Sequence, residues 1–205
     1  VSLTDTIPAP APSVSHRLEQ LHGLLRDSGV PFETEHDPEW PSSCERSQPF
    51  RNADGDWRTA WAPVPRLDSD GLPPADFAGL AAALEAPIHP DFCAFFSSFW
   101  SAGLELQAPD GPVSLLQLWN PQDVDRLIEN LIGHVLVQRR ARAPLTLFFA
   151  CTDPDSDLIL SLDNGSGAVL LERPGQQPLR TVASSLSDFL GRLRAPSPGE
   201  VTGND

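Results

Sequence analysis

The sequence predicts an α+β fold, a single domain whose mostly antiparallel sheet is flanked by helices. Three observations lead there. A long helix with apolar residues at offsets 0, 3, 4, 7, 8, 11 and 12 separates two groups of strands, and turn signals join neighbouring strands as hairpins. The element order, helices then a strand pair, the long helix, further strands and a last helix, is that of an α+β domain. A chain of 205 residues suits one domain with a sizeable core, and its apolar fraction of 40%, about 47% once the 14 glycines are added, is ordinary for a globular protein.

Residues 1–13, with a Pro-Ala-Pro-Ala-Pro run, and residues 195–205 have the composition of flexible extended tails, which leaves 14–194 as the domain. Ser15 to Asp27 reads as an amphipathic helix, with Leu18, Leu21 and Leu25 on one side and Gly29 as the stop. Val30 to Pro74 carries eight prolines but also Phe32, Trp40, Phe50, Trp57 and Trp61. That mixture predicts an irregular or short-stranded excursion pinned by aromatics, because a disordered linker seldom carries so many large rings.

Asp76 to Leu84 is predicted as a short helix and Pro90 to Ser101 as a second, on which Phe92, Phe95, Phe96, Phe99 and Trp100 form one aromatic face. Leu104–Gln107 and Val113–Trp119 flank Pro109-Asp110-Gly111-Pro112 and read as a hairpin. Asn120-Pro121-Gln122-Asp123 then supplies an N-cap, a proline at the first helical position and an acid facing the positive end of the helix dipole. The apolar stripe Val124, Leu127, Ile128, Leu131, Ile132, Val135 and Leu136 follows, Arg139, Arg140 and Arg142 suit the C-terminal end, and Pro144 blocks continuation. Leu145–Cys151, Leu158–Leu162 and Ala168–Glu172 are apolar strands, the last two joined by Asp163-Asn164-Gly165. A closing helix presents Leu186, Phe189, Leu190 and Leu193.

Charge narrows the functional classes. The chain has 14 basic residues, all Arg, against 28 acids, a net charge of −14, which disfavours binding to nucleic-acid backbones or directly to anionic lipid and favours a basic partner. Cys44, Cys93 and Cys151 are odd in number, with no Cys-x-x-Cys and no zinc-like His spacing, and suggest buried thiols in a reducing compartment. With no secretory leader and no apolar run of membrane-span length in the sequence, a cytoplasmic location is expected, any membrane association coming through a partner.

Catalytic constellations are weak. Glu129 and His134 are five residues apart on one helix and do not share a face, so His134 reads as a structural histidine. Cys93, beside the aromatic face and near His89, reads as an apolar filler. Phosphate-binding glycine motifs and a nucleophile elbow are absent. Asp153-Pro154-Asp155-Ser156-Asp157 lacks the glycine and distal glutamate of a calcium loop and reads as a solvated turn. Neither a metal nor a cofactor is expected.

Between Arg26 and Arg46 there is no Lys or Arg, whereas Asp27, Glu33, Glu35, Asp37, Glu39 and Glu45 give that span six acids, beside Phe32 and Trp40. Asp91, Asp123, Asp125 and Glu129 add acids near the helix starts. Each acid alone could serve only solubility; acids interleaved with aromatics are what recognition of a basic peptide requires.

The run Leu115-Leu116-Gln117-Leu118-Trp119-Asn120-Pro121-Gln122-Asp123 continues as Glu129-Asn130-Leu131-Ile132-Gly133-His134-Val135-Leu136, Gln138-Arg139-Arg140 and Pro144-Leu145-Thr146-Leu147-Phe148. It closely resembles the Syd family, SecY-interacting proteins within the wider SUKH superfamily. Pro41-Ser42-Ser43-Cys44, Pro87-Ile88-His89-Pro90 and Phe189-Leu190-Gly191-Arg192-Leu193 echo the same family. Resemblance covers residues 38–66 loosely and 87–194 well; the Pro-rich tails and longer front half depart from the pattern.

The resemblance implies a non-enzymatic protein with an acidic concave surface that binds SecY, the channel subunit of the protein translocase, and regulates or checks it from the cytoplasmic face of the inner membrane. The basic cytoplasmic loops of SecY would then meet Glu33, Glu35, Asp37, Glu39, Asp91, Asp123 and Glu129 as charge and Trp40 as an anchor. Asn130, Gly133 and His134 are expected to be structural, Gly133 for close packing and the other two for hydrogen bonds that hold the helix against a loop. A SUKH-type immunity protein that neutralises a basic toxin is the alternative with the same acidic signature.

Overall fold

The computed structural model describes residues 12–29, 31–66, 77–153 and 155–196. Most of both predicted tails and the Pro73-Pro74 segment lie outside these residues. The first helix, α1 (Val14–Asp27), is capped by Ser13, whose side chain accepts the His16 backbone N–H, and buries Val14, Leu18, Leu21, His22 and Leu25. Its apolar stripe is the predicted Leu18, Leu21 and Leu25, extended at the N-terminal end by Val14, and the helix ends at Asp27 as expected.

The proline-rich front half is short-stranded. Strands β1 (Glu33–Glu35), β2 (Phe50–Arg51) and β3 (Trp57–Ala60) form a small antiparallel sheet in the order β1-β3-β2. Phe32 stacks on Trp61 at 4.7 Å, and the Trp61 ring meets Trp119 edge-on, so the aromatics pin this sheet to the body of the domain. Beyond it β4 (Val64–Pro65) pairs with β5 (Phe99–Trp100).

That pairing corrects the helix expected over Pro90–Ser101. Helix α2 (Ala78–Leu84) leads to α3, which runs only over Pro90–Ser97, and Phe99 and Trp100 are strand. The Ser98 hydroxyl donates back to the Ala94 carbonyl, a local bond that competes with helix continuation. The buried Trp100 ring is meanwhile held by the Arg66 guanidinium, 3.8 Å from its centroid.

The central sheet has six antiparallel strands, β6 (Leu104–Ala108), β7 (Gly111–Leu115), β8 (Thr146–Cys151), β9 (Ile159–Asp163), β10 (Val169–Glu172) and β11 (Arg180–Ala183). Two details differ from expectation: β7 stops at Leu115, short of Trp119, and β11 carries too little apolar pattern to be read as a strand. Helix α4 (Pro121–Ala141) bridges β7 and β8, and α5 (Leu186–Leu190) closes the chain.

Adjacent phenylalanines in β8 serve opposite faces of the sheet. Phe149 packs between Phe95 of α3 and Phe189 of α5, at 5.5 and 5.9 Å, on the side where α1 joins both helices. Phe148 meets His134 of α4 on the other side. Each fully enclosed ring or leucine contributes about 1.5–3 kcal/mol of burial, which makes this two-sided seam the main store of stability. The Asp163-Asn164-Gly165 turn also ties layers together: Asn164 accepts the His89 N–H at 2.9 Å and donates to the Pro87 carbonyl at 2.8 Å.

Candidate functional site

The site is assembled at the start of α4. Asn120 is extended (φ −152°), so its side-chain oxygen reaches forward to the Asp123 N–H at 3.2 Å while its amide nitrogen donates to the Pro41 carbonyl at 3.2 Å. Asp123, in the first turn, accepts two N–H groups: the Trp119 backbone on Oδ2 at 2.9 Å and the Trp40 indole on Oδ1 at 3.2 Å. In return the Trp119 indole donates to the Trp40 carbonyl at 3.1 Å, and the Ser42 hydroxyl donates to the Trp119 carbonyl. Residues 40–42 are thus stitched to residues 119–123, and the Trp40 ring is held in a fixed orientation.

Beside this joint is an open groove of about 390 Å³, lined by Glu35, Asp37 and Trp40 from the front half of the chain and by Gly103, Gln117 and Trp119 from the segments around the central sheet. Glu35 and Asp37 are exposed, and neither has a cationic partner among the described residues. Arg58 stands opposite Glu35 in the β1–β3 register but sends its guanidinium to the Glu33 backbone carbonyl, 3.3 Å away. The two carboxylates therefore keep their charge uncompensated on a groove that two indoles also line.

The predicted acids divide accordingly. Glu33 shares a strand face with Glu35 and is exposed, and Glu39, also exposed, donates its backbone N–H to Asp37. Asp123 is brought to the same place, but its carboxylate is committed to the two N–H groups. Asp91 and Glu129 do not line the groove: Asp91 is in the first turn of α3, whose cap His89 is bound to Asn164, and Glu129 is exposed on the outer face of α4. Arg126 is the groove residue that sequence reasoning passed over. Its guanidinium lies 4.9 Å from the Trp40 ring centroid and 3.7 Å from Asp123 Oδ1, and the i,i+3 spacing from Asp123 is the signal that could have found it.

His134 is enclosed elsewhere, between α4 and the sheet, with Nε2 3.2 Å from Thr146 Oγ1 and 3.3 Å from Glu172 Oε1. It is structural, as expected, but its partners are on strands rather than a loop. Two neighbouring expectations fail. Asn130 is exposed and makes no hydrogen bond among the described side chains, and a Cβ on Gly133 would meet nothing within 4 Å, so close packing does not require that glycine.

All three cysteines are free, with Cys44 buried, Cys93 half-buried and Cys151 exposed, which corrects the expectation that every thiol is buried. Burial raises each thiol above its ordinary pKa, and Glu105 adds to the effect at Cys151. Among the described residues no group of three or more His, Cys, Asp or Glu could hold a metal, and no helix is long and apolar enough to cross a membrane.

A larger hollow, about 550 Å³, is lined by Val113, Leu160, Leu171 and Val182 of the central sheet. Three of its charged lining residues are paired, Arg180 with Asp110 at 2.7 Å and Arg192 with Asp188 nearby, which leaves Asp153 as a lone acid beside them. The smaller groove is therefore the better candidate for a charged partner, because uncompensated acids and a positioned aromatic coincide there.

A sequence model of the Syd protein family (SUKH-2) matches residues 21–195. Among curated proteins, Protein Syd of Pseudoalteromonas atlantica is 39% identical over 78% of this chain and 81% of its own length. Protein Syd of Colwellia psychrerythraea is 35% identical over 78% of each chain, and that of Hahella chejuensis 43% identical over 65% of this chain and 66% of its own.

Proposed function

The chain belongs to the Syd family (SUKH-2), and from that premise we propose that it is a non-enzymatic binding protein for basic cytoplasmic loops of SecY. It would be held at the cytoplasmic face of the inner membrane by SecY rather than by lipid, and would regulate or check the translocase there. The observation that carries this reading is the pair of uncompensated carboxylates, Glu35 and Asp37, on the same groove as the oriented Trp40. Cytoplasmic loops of membrane proteins are enriched in Lys and Arg, so a −14 chain is drawn to them while anionic lipid repels it. Charge chiefly raises the association rate, and the desolvated indole supplies contact area.

In this reading Glu33, Glu35, Asp37 and Glu39 act as charge, Trp40 as the anchor, and Asp123 as the residue that positions Trp40. Asp91 and Glu129 contribute only to the wider negative field. The test is retention of SecY from a detergent extract by the wild-type protein and by the Glu35→Arg, Asp37→Arg double variant. Retention by the wild type that is lost in the variant and weakens with added salt supports the proposal; equal retention by both overturns the assignment of the groove.

A further inference from the structure

Among the described residues the one cation lining the groove, Arg126, lies on the aromatic surface that a basic partner would use. Arg126 is 64% exposed along its side chain, yet its guanidinium is placed over the Trp40 ring at 4.9 Å instead of extending into solvent. Trp40 cannot turn away, because its indole N–H is held by Asp123 and its carbonyl by the Trp119 indole. On the same groove Glu35 and Asp37 have no cationic partner among the described residues. The side-chain oxygen of Gln117, which also lines the groove, is buried and accepts no hydrogen bond, while its amide nitrogen donates to the neighbouring Leu116 carbonyl at 2.8 Å. The groove thus offers a π face, two carboxylates without a cationic partner among the described residues and an unsatisfied acceptor, which are the features a planar, multiply donating cation satisfies.

We infer that Arg126 is a tethered stand-in that occupies the Trp40 face in the free protein and is displaced by an arginine of the partner. This rests on the reading of the groove as a site for basic segments and adds to it a preference for Arg over Lys and a self-competing contact. The guanidinium is the better match because it stacks on indole and still has several N–H donors in its plane for carboxylate and amide acceptors, which a point-charge ammonium does not reproduce. An ammonium in place of the tethered guanidinium also stacks less well, so an Arg126→Lys chain competes less for the ring while keeping its charge.

The experiment is a binding cycle on the full chain, with a short synthetic Arg-rich peptide and the same peptide carrying Lys at each Arg position, and with folding of every variant checked by circular dichroism. The wild type is expected to bind the Arg peptide more tightly than the Lys peptide. Arg126→Ala is expected to tighten the Arg peptide roughly two- to five-fold, the equivalent of releasing one exposed cation–π contact. Arg126→Lys is expected to give a smaller gain in the same direction. In a Trp40→Leu background the gain from Arg126→Ala should shrink to what removing a like charge gives, the same for both peptides. Equal gains in both backgrounds, or weaker binding by Arg126→Ala, overturn the stand-in role while leaving the groove as the binding site. Absence of binding by the wild type to either peptide and to SecY overturns the site reading itself, and the inference with it.

Discussion

His134 and Glu172 face each other across the seam between α4 and β10, with Nε2 and Oε1 3.3 Å apart and both side chains almost wholly enclosed. Thr146 and Ser161 donate to the same carboxylate at 2.9 and 2.7 Å, and Gln138 donates to the Thr146 hydroxyl at 3.0 Å. Because the Thr146 hydrogen points to Glu172, its oxygen is an acceptor for His134, which places a proton on Nε2. Glu172→Leu would leave three donors facing a methyl-lined space and is expected to destabilise the fold by about 3–5 kcal/mol, read as a lowered urea midpoint with an unchanged slope.

Asp123 and the Glu35–Asp37 pair should separate cleanly by role. Asp123→Asn leaves one acceptor oxygen where the Trp40 indole and the Trp119 backbone each need one, so the joint loosens and affinity for a basic segment should fall by no more than about five-fold, an indirect loss through the position of Trp40. Glu35→Arg with Asp37→Arg reverses the rim charge and should cost ten-fold or more, by an estimate of about 1.4 kcal/mol or greater, seen mainly as a slower association in stopped-flow measurements.

Asn120 has two functions in one side chain, the cap of α4 and the clasp on Pro41. Asn120→Ala should therefore lower stability by about 1–2 kcal/mol and also loosen the Trp40 ring. Circular dichroism melts report the first effect, and increased fluorescence quenching of Trp40, by difference against Trp40→Phe, reports the second.

His22 is buried on α1, edge-on to the Phe99 ring at 4.8 Å, and burial together with the nearby Arg26 charge lowers its pKa from 6.5 to about 4. The folded protein holds this imidazole neutral while the unfolded chain protonates it, so its contribution is complete above pH 6.5 and is lost as pH falls towards 4. The loss is of order 3 kcal/mol over that window. His22→Leu should remove that slope from a plot of unfolding free energy against pH, leaving the slope of the acids.

The sequence revealed the helices and the inner strands because each announces itself locally. Asn120 and Pro121 start α4, Pro144 stops it, and Leu127, Leu131 and Val135 mark its buried stripe. What was hidden depends on distant partners. Phe99 and Trp100 look helical until Val64 and Pro65 arrive to pair with them, and Arg180–Ala183 becomes a strand only because β10 offers an edge. At the site, Glu35, Asp37 and Trp40 were legible as acids beside an aromatic in an Arg-free span. The positioning role of Asp123 and the placement of Arg126 were not, since both are fixed by Trp40, more than eighty residues earlier in the chain.

The bonds that close the groove join residues 77 to 83 positions apart: Ser42 with Trp119, Trp40 with Trp119, Pro41 with Asn120 and Trp40 with Asp123. During synthesis the acidic strand therefore emerges long before the helix start that orients its tryptophan, and contacts of that span form late. Until then the early segment is a charged, aromatic stretch without a shaped surface. The proposed recognition would in this sense be licensed by completion of the fold: a chain truncated before α4 carries all of the proposed contact acids and none of the geometry that would make them a site.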